Sequence, residues 1–123
     1  MKFALNGAPP IGTLDGANVE IQEEVGDDNI FIFGLTADEV ARRREEGYRP
    51  NEIVRENREL AQVLEQIGGG FFSPTDLNRF KPLVDRLLDD GEYFLALADY
   101  ETYIAAQERV DENYRDQESW IRK

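Results

Sequence analysis

The run Ile30-Phe-Ile-Phe33, closed by Gly34, constrains the fold of this chain more than any other stretch. Four consecutive apolar, β-favouring residues have no polar face to turn toward water. The run therefore predicts a strand buried on both faces, the arrangement found where helices flank a parallel sheet. Upstream, Ile11 to Thr13 reads as a short strand, and Asp15-Gly16 as a turn whose carboxylate can cap a helix over Ala17 to Val25. Strand, helix and strand in this order make a βαβ unit within residues 1–35 and an α/β class. Before it, Lys2 to Asn6 reads as the tail of a helix ended by Gly7, a residue suited to the left-handed C-terminal position.

Residues 36–123 read as mostly helical. Thr36-Ala-Asp-Glu39 has the spacing of a capping box and predicts a helix from about Ala37 to Glu46. Asn51 can cap the next helix, whose stripe of Ile53, Leu60, Leu64 and Ile67 stops at Gly68-Gly-Gly70. Ser73-Pro74 has the form of a cap followed by proline at the first helical position, leading into Phe80, Leu83, Val84, Leu87 and Leu88. From Phe94 onward, Tyr100, Tyr103, Ile104, Gln107, Val110 and Tyr114 continue at helical intervals toward Trp120. Phe31, Phe33, Phe71, Phe72, Tyr100 and Tyr103 are expected in the core, because aromatic side chains dominate core burial.

Charge and composition remove several classes of function. With 26 acidic against 14 basic side chains, a formal charge of −12 argues against binding nucleic acid through general electrostatics. The chain has neither cysteine nor histidine, so disulfides are excluded and a structural zinc is set aside. Asp27-Asp28 and Asp89-Asp90 lack the alternate ligand spacing of a calcium loop and read as solvated turns. No apolar run approaches the roughly 20 residues that span a bilayer, so no membrane partner is expected and the cytoplasm is the expected compartment. Gly12 to Gly16 matches neither a dinucleotide fingerprint nor a P-loop.

Two segments carry a family resemblance. Met1-Lys-Phe-Ala-Leu-Asn-Gly7 followed by Ile11-Gly-Thr-Leu-Asp-Gly-Ala-Asn-Val-Glu-Ile21 resembles the signature of the α-glucan phosphorylases, the glycogen, starch and maltodextrin enzymes. Asn29-Ile-Phe-Ile-Phe-Gly34, Gly70-Phe-Phe-Ser-Pro74, Ala98-Asp-Tyr-Glu-Thr-Tyr103, Gln107-Glu-Arg-Val110 and Trp120 follow in that family's order and approximate spacing. The departure is Pro9-Pro10, where the family usually carries other residues; two prolines remove two amide donors and favour an extended path.

The resemblance implies that Lys2 forms a Schiff base with pyridoxal phosphate and is the cofactor-holding residue rather than an acid or base. It implies transfer of a glucosyl unit from an α-1,4-glucan to inorganic phosphate, giving glucose 1-phosphate, in a homodimeric parent enzyme. It also places residues 1–123 in part of the Rossmann-like C-terminal domain of a two-domain, GT-B type glycosyltransferase, without the N-terminal domain. A piece of this size is expected to be inactive by itself. Asp15, Asn18 and Glu20 are assigned no catalytic role, since helix capping and hydrogen-bonded support explain them as well. Two alternatives stay open at this level: a non-catalytic acidic helical module derived from the same domain, and a generic Rossmann-like binder of phosphorylated small molecules.

Overall fold

The computed structural model describes residues 2, 4–89 and 91–123. Met1 and Phe3 of the lysine segment and Asp90 of the Asp89-Asp90 pair lie outside the described residues. The chain divides into two compact units, one of Met1–Val40 with Asp99–Lys123 and one of Ala41–Ala98.

The first unit is built on a two-stranded parallel sheet. Strand β1 (Ile11–Thr13) pairs with β2 (Phe31–Phe33), with Ile11 opposite Phe31, Gly12 opposite Ile32 and Thr13 opposite Phe33. Helix α1 (Ala17–Val25) and a short 3₁₀ turn (Asp27–Asn29) connect them, so the expected strand–helix–strand order is present. Helix α6 (Tyr100–Arg115) packs on β2, and α7 (Gln117–Ile121) follows it. Ile30, Phe31 and Ala106 are buried here. The Phe31 ring stacks on Trp120 at 6.4 Å between centroids, and Phe33 meets Tyr103 edge-on at 5.1 Å. Successive strand residues face opposite sides of a sheet, and Ile32 and Phe33 are only half-buried. Within β2 only Phe31 is fully buried, so the expected burial on both faces is not reached: Ile32, on the opposite face, stays partly open.

Two local expectations in this unit change in detail. Lys2 to Asn6 does not end an α-helix: Ala4–Asn6 is a 3₁₀ turn, which Gly7 closes at φ 77° by donating its amide to the Ala4 carbonyl at 3.1 Å. Asp15 does not cap α1. Its carboxylate accepts the Thr13 hydroxyl at 3.0 Å and is drawn back toward β1, so Gly16, at φ 49°, precedes the helix with no side-chain cap. The capping box forms as expected. The Thr36 amide donates to Glu39 Oε2 at 2.8 Å, the Glu39 amide points back to Thr36 Oγ1, and α2 runs Ala37–Glu46.

The second unit is helical, with Tyr48, Pro50, Leu60, Leu64, Val84, Leu95 and Leu97 buried. The helix expected from Asn51 is two helices, α3 (Pro50–Glu56) and α4 (Arg58–Gly68). Pro50 takes the first position of α3, and Asn51 sits inside it, donating from its side chain to the Leu88 carbonyl at 3.3 Å. Asn57 is the cap: its side-chain oxygen accepts the Leu60 amide at 2.9 Å, a local bond that competes with continuing the helix. Gly69 and Gly70 end α4 as expected, Gly70 at φ 84°.

Ser73-Pro74 starts no helix. Residues 70–81 form successive turns in which Ser73 bonds to Gly70, Asp76 to Ser73, Arg79 to Asp76 and Lys81 to Asn78. The Asp76 side chain accepts the Asn78 amide, and α5 begins only at Lys81, with Pro82 in its first turn (Lys81–Leu87). Ser73 is buried with its hydroxyl unpaired among the described residues, so it caps nothing. Phe71 and Phe72, expected in the core, are 69% and 61% exposed and touch each other edge-on.

Candidate functional site

Lys2 sits in an exposed turn just before the Ala4–Asn6 segment. Its main chain is held because Asn6 Nδ2 donates to the Lys2 carbonyl at 2.6 Å, while its side chain has no hydrogen bond or ion pair among the described residues. Gly7 then reverses the chain, and Pro9-Pro10 carry it extended into β1, where the Pro10 carbonyl accepts the Phe31 amide at 2.9 Å.

Downstream lies a tight polar corner at the end of β1. The Thr13 carbonyl accepts both the Asp15 amide at 2.9 Å and Asn18 Nδ2 at 2.8 Å, while the Thr13 hydroxyl donates to Asp15. Gly12 makes this geometry possible, since a Cβ at that position would lie 2.6 Å from Asn18 Nδ2. Asp15 and Asn18 are thus engaged in holding the β1–α1 corner. Glu20, in the first turn of α1, is exposed and lines an apolar cleft of about 570 Å³ with Ala4, Leu5, Ala17, Ile21 and Val25. The fold does not bring Lys2 into that lining.

As a primary amine on an exposed turn, Lys2 has the chemistry to condense with an aldehyde. Holding a phosphate takes preorganised cations and amides, and several of the chain's cations are already engaged. In the helical unit, Arg44 lies 4.4 Å over the Tyr93 ring and donates to the Tyr93 carbonyl, and Lys81 pairs with Asp85 at 2.7 Å. Among the described residues no group of three or more acidic side chains is placed to hold a metal ion. Among the described residues no helix is long and apolar enough to cross a membrane.

Sequence periodicity did not reveal the side chains that bind the outer edge of β2. Thr102 Oγ1 accepts the Gly34 amide at 2.9 Å, Asp99 Oδ1 accepts the Leu35 amide at 2.9 Å, and Arg109 Nη2 donates to the Ile32 carbonyl at 2.7 Å. These contacts join residues 64 to 77 positions apart, and polar positions on an amphipathic helix carry no signal of such partners.

A sequence profile of the carbohydrate phosphorylases matches residues 1–123. The chain belongs to the carbohydrate phosphorylase family. It is 51% identical over 122 residues to the glycogen phosphorylase of Synechocystis sp., covering 99% of this chain and 14% of that protein. It is 51% identical over 121 residues to the glycogen phosphorylase of Pasteurella multocida, covering 98% and 15%. With the brain-form glycogen phosphorylase of Bos taurus the identity is 49% over 123 residues, covering 100% and 14%. This phosphorylase chain therefore spans about one-seventh of the length of the curated relatives it matches. Identity of about half along the whole chain supports the phosphorylase reading over a derived binding module.

Proposed function

We propose that the chain is the cofactor-lysine segment of an α-1,4-glucan phosphorylase, with Lys2 holding pyridoxal phosphate. The observation that carries this reading is the match to the phosphorylase family over residues 1–123, which includes the Lys2 segment and the Gly12–Glu20 corner. The segment belongs to the Rossmann-like C-terminal domain of a two-domain, GT-B type enzyme. Residues 1–35 supply the βαβ part of that domain and residues 36–123 its helical part. The parent enzyme is cytoplasmic and homodimeric, and it releases glucose 1-phosphate from an α-1,4-glucan with inorganic phosphate.

In this role each part of the chain has a limited task. When bound, pyridoxal phosphate supplies through its 5′-phosphate a proton-transfer partner for the substrate phosphate. Lys2 anchors the cofactor ring covalently and is neither acid nor base. The Asn6 bond to the Lys2 carbonyl and the reversal at Gly7 fix the backbone from which the amine projects. The Thr13, Asp15 and Asn18 corner makes rigid the strand end that follows. Such division of labour, with cofactor chemistry and protein orientation, is general to cofactor enzymes.

Borohydride reduction of the parent enzyme followed by peptide mapping tests the assignment. The label is expected on Lys2 and is lost in Lys2→Ala, even where the cofactor still occupies its pocket. A label on another lysine with none on Lys2 overturns it.

A further inference from the structure

Helix α2 ends at Glu46, Gly47 turns the chain at φ 91°, and Pro50 opens α3. Tyr48, inside this short link, is buried and pins it to the core of the helical unit. Arg44, in the last turn of α2, and Arg49, just before α3, are thereby brought to one cavity of about 490 Å³, whose lining also includes Glu92 and Tyr93. All of these residues belong to the Ala41–Ala98 unit and none to the unit that carries Lys2.

The loop that brings Glu92 and Tyr93 to the cavity is firmly held. Glu92 is buried, and its two carboxylate oxygens accept the Phe94 amide at 2.7 Å and the Ala96 amide at 2.9 Å. Leu95 is 1% exposed and, among the described non-glycine residues, is alone in taking a positive φ, at 54°. A bulky side chain keeps such a backbone only where its surroundings fix it. Tyr93 thus stands on a pinned turn, and Arg44 is seated against it, 4.4 Å over the ring and donating to the Tyr93 carbonyl.

A guanidinium carries its N–H donors in a rigid planar fork. Among the described residues, Arg44 spends one donor on the Tyr93 carbonyl and Arg49 one on Glu52 Oε1 at 3.1 Å. Each keeps a second in-plane edge, the shape that takes a carboxylate through two parallel hydrogen bonds. Glu92 cannot supply that carboxylate, since its oxygens are held by backbone amides. In a chain of formal charge −12, two guanidiniums at one concave site are a local attraction for an anion. The volume is that of a small-molecule site.

We propose that this cavity binds a small organic dicarboxylate, one carboxylate on Arg44 and the other on Arg49. Shape decides the ligand class: a tetrahedral phosphate calls for donors converging around it, whereas each arginine here offers one flat edge. The site is independent of the cofactor role proposed for Lys2.

Titration of the isotope-labelled chain with succinate, followed by two-dimensional amide NMR, tests the site. The amides of Gly47, Arg49, Gly91 and Tyr93 should shift and saturate. Arg49→Ala removes only an exposed ion pair from the fold, so its spectrum should otherwise persist while binding weakens by roughly tenfold or more, as expected for a lost charged hydrogen-bond pair. Arg44→Gln should weaken binding to a similar degree, and Arg49→Lys, which lacks the fork, should restore only part of the loss. Succinamate, with one carboxylate, should bind more weakly than succinate. Shifts that drift without saturating, or succinate affinity unchanged in Arg49→Ala, overturn the proposal. Inorganic phosphate binding more tightly than succinate overturns it as well. Borohydride labelling of Lys2 is indifferent to either result, so the two assignments stand or fall separately.

Discussion

Single residues set the geometry of the β1–α1 corner, and Gly12 is the sharpest case. Its backbone needs no special dihedral; what matters is space, because a Cβ here would lie only 2.6 Å from Asn18 Nδ2. Gly12→Ala must swing the Asn18 amide away and forfeit its bond to the Thr13 carbonyl, a loss of about 1 kcal/mol. A urea titration followed by Trp120 fluorescence should show this as a lower midpoint. In an Asn18→Ala background the same glycine change should cost much less, since the obstructing group is gone and the two substitutions share one interaction. Additive costs would mean that Gly12 serves some purpose other than clearance. Lys2 presents the contrasting case. Its candidate role is legible through the family signature, but the turn that carries it shows only an exposed amine held by its backbone.

At the scale of elements, local chemistry was legible wherever the local bond had no competitor. The capping box placed α2, and the apolar run closed by Gly34 located β2 to within one residue. Misreadings arose where one residue type has two uses. Asn51 and Asn57 are both plausible caps by composition; only Asn57 accepts the amide three residues on, because Pro50 already fills the first position of α3. Ser73-Pro74 has the form of a helix start, yet the turns through residues 70–81 consume the donors that such a start would supply. The grip of Asp99, Thr102 and Arg109 on β2 was illegible for a different reason, since it joins distant polar residues that follow no periodicity. The two asparagines make a direct comparison. Asn57→Ala should lower the stability of the chain by about 1 kcal/mol through loss of the cap. Asn51→Ala removes only a long, exposed bond at 3.3 Å and should cost less. Circular dichroism during urea unfolding would rank them, and a larger loss from Asn51→Ala would shift the cap assignment away from Asn57.

At the scale of the whole chain, the apolar surface argues for missing partners. Phe71, Phe72, Tyr93, Phe94, Leu5 and Ile121 are all more than 60% exposed. The proposed reaction brings together a cofactor phosphate, a substrate phosphate and a glucosyl unit in a cleft that excludes water. Positioning of that kind can account for about 7–11 kcal/mol of barrier lowering. This chain provides the exposed Lys2 amine, while Arg44 and Lys81, two of the cations considered for a phosphate site, are already engaged within the helical unit. The isolated 123-residue chain is therefore expected to release no measurable glucose 1-phosphate from maltoheptaose and phosphate, even with pyridoxal phosphate supplied. The assay needs the Lys2→Ala chain alongside, so that a contaminating host phosphorylase shows as activity common to both. Turnover present in the natural chain and absent from Lys2→Ala would mean that the basic residues here, with Arg42 and Arg43 exposed on α2, assemble a phosphate site without help from the remaining polypeptide.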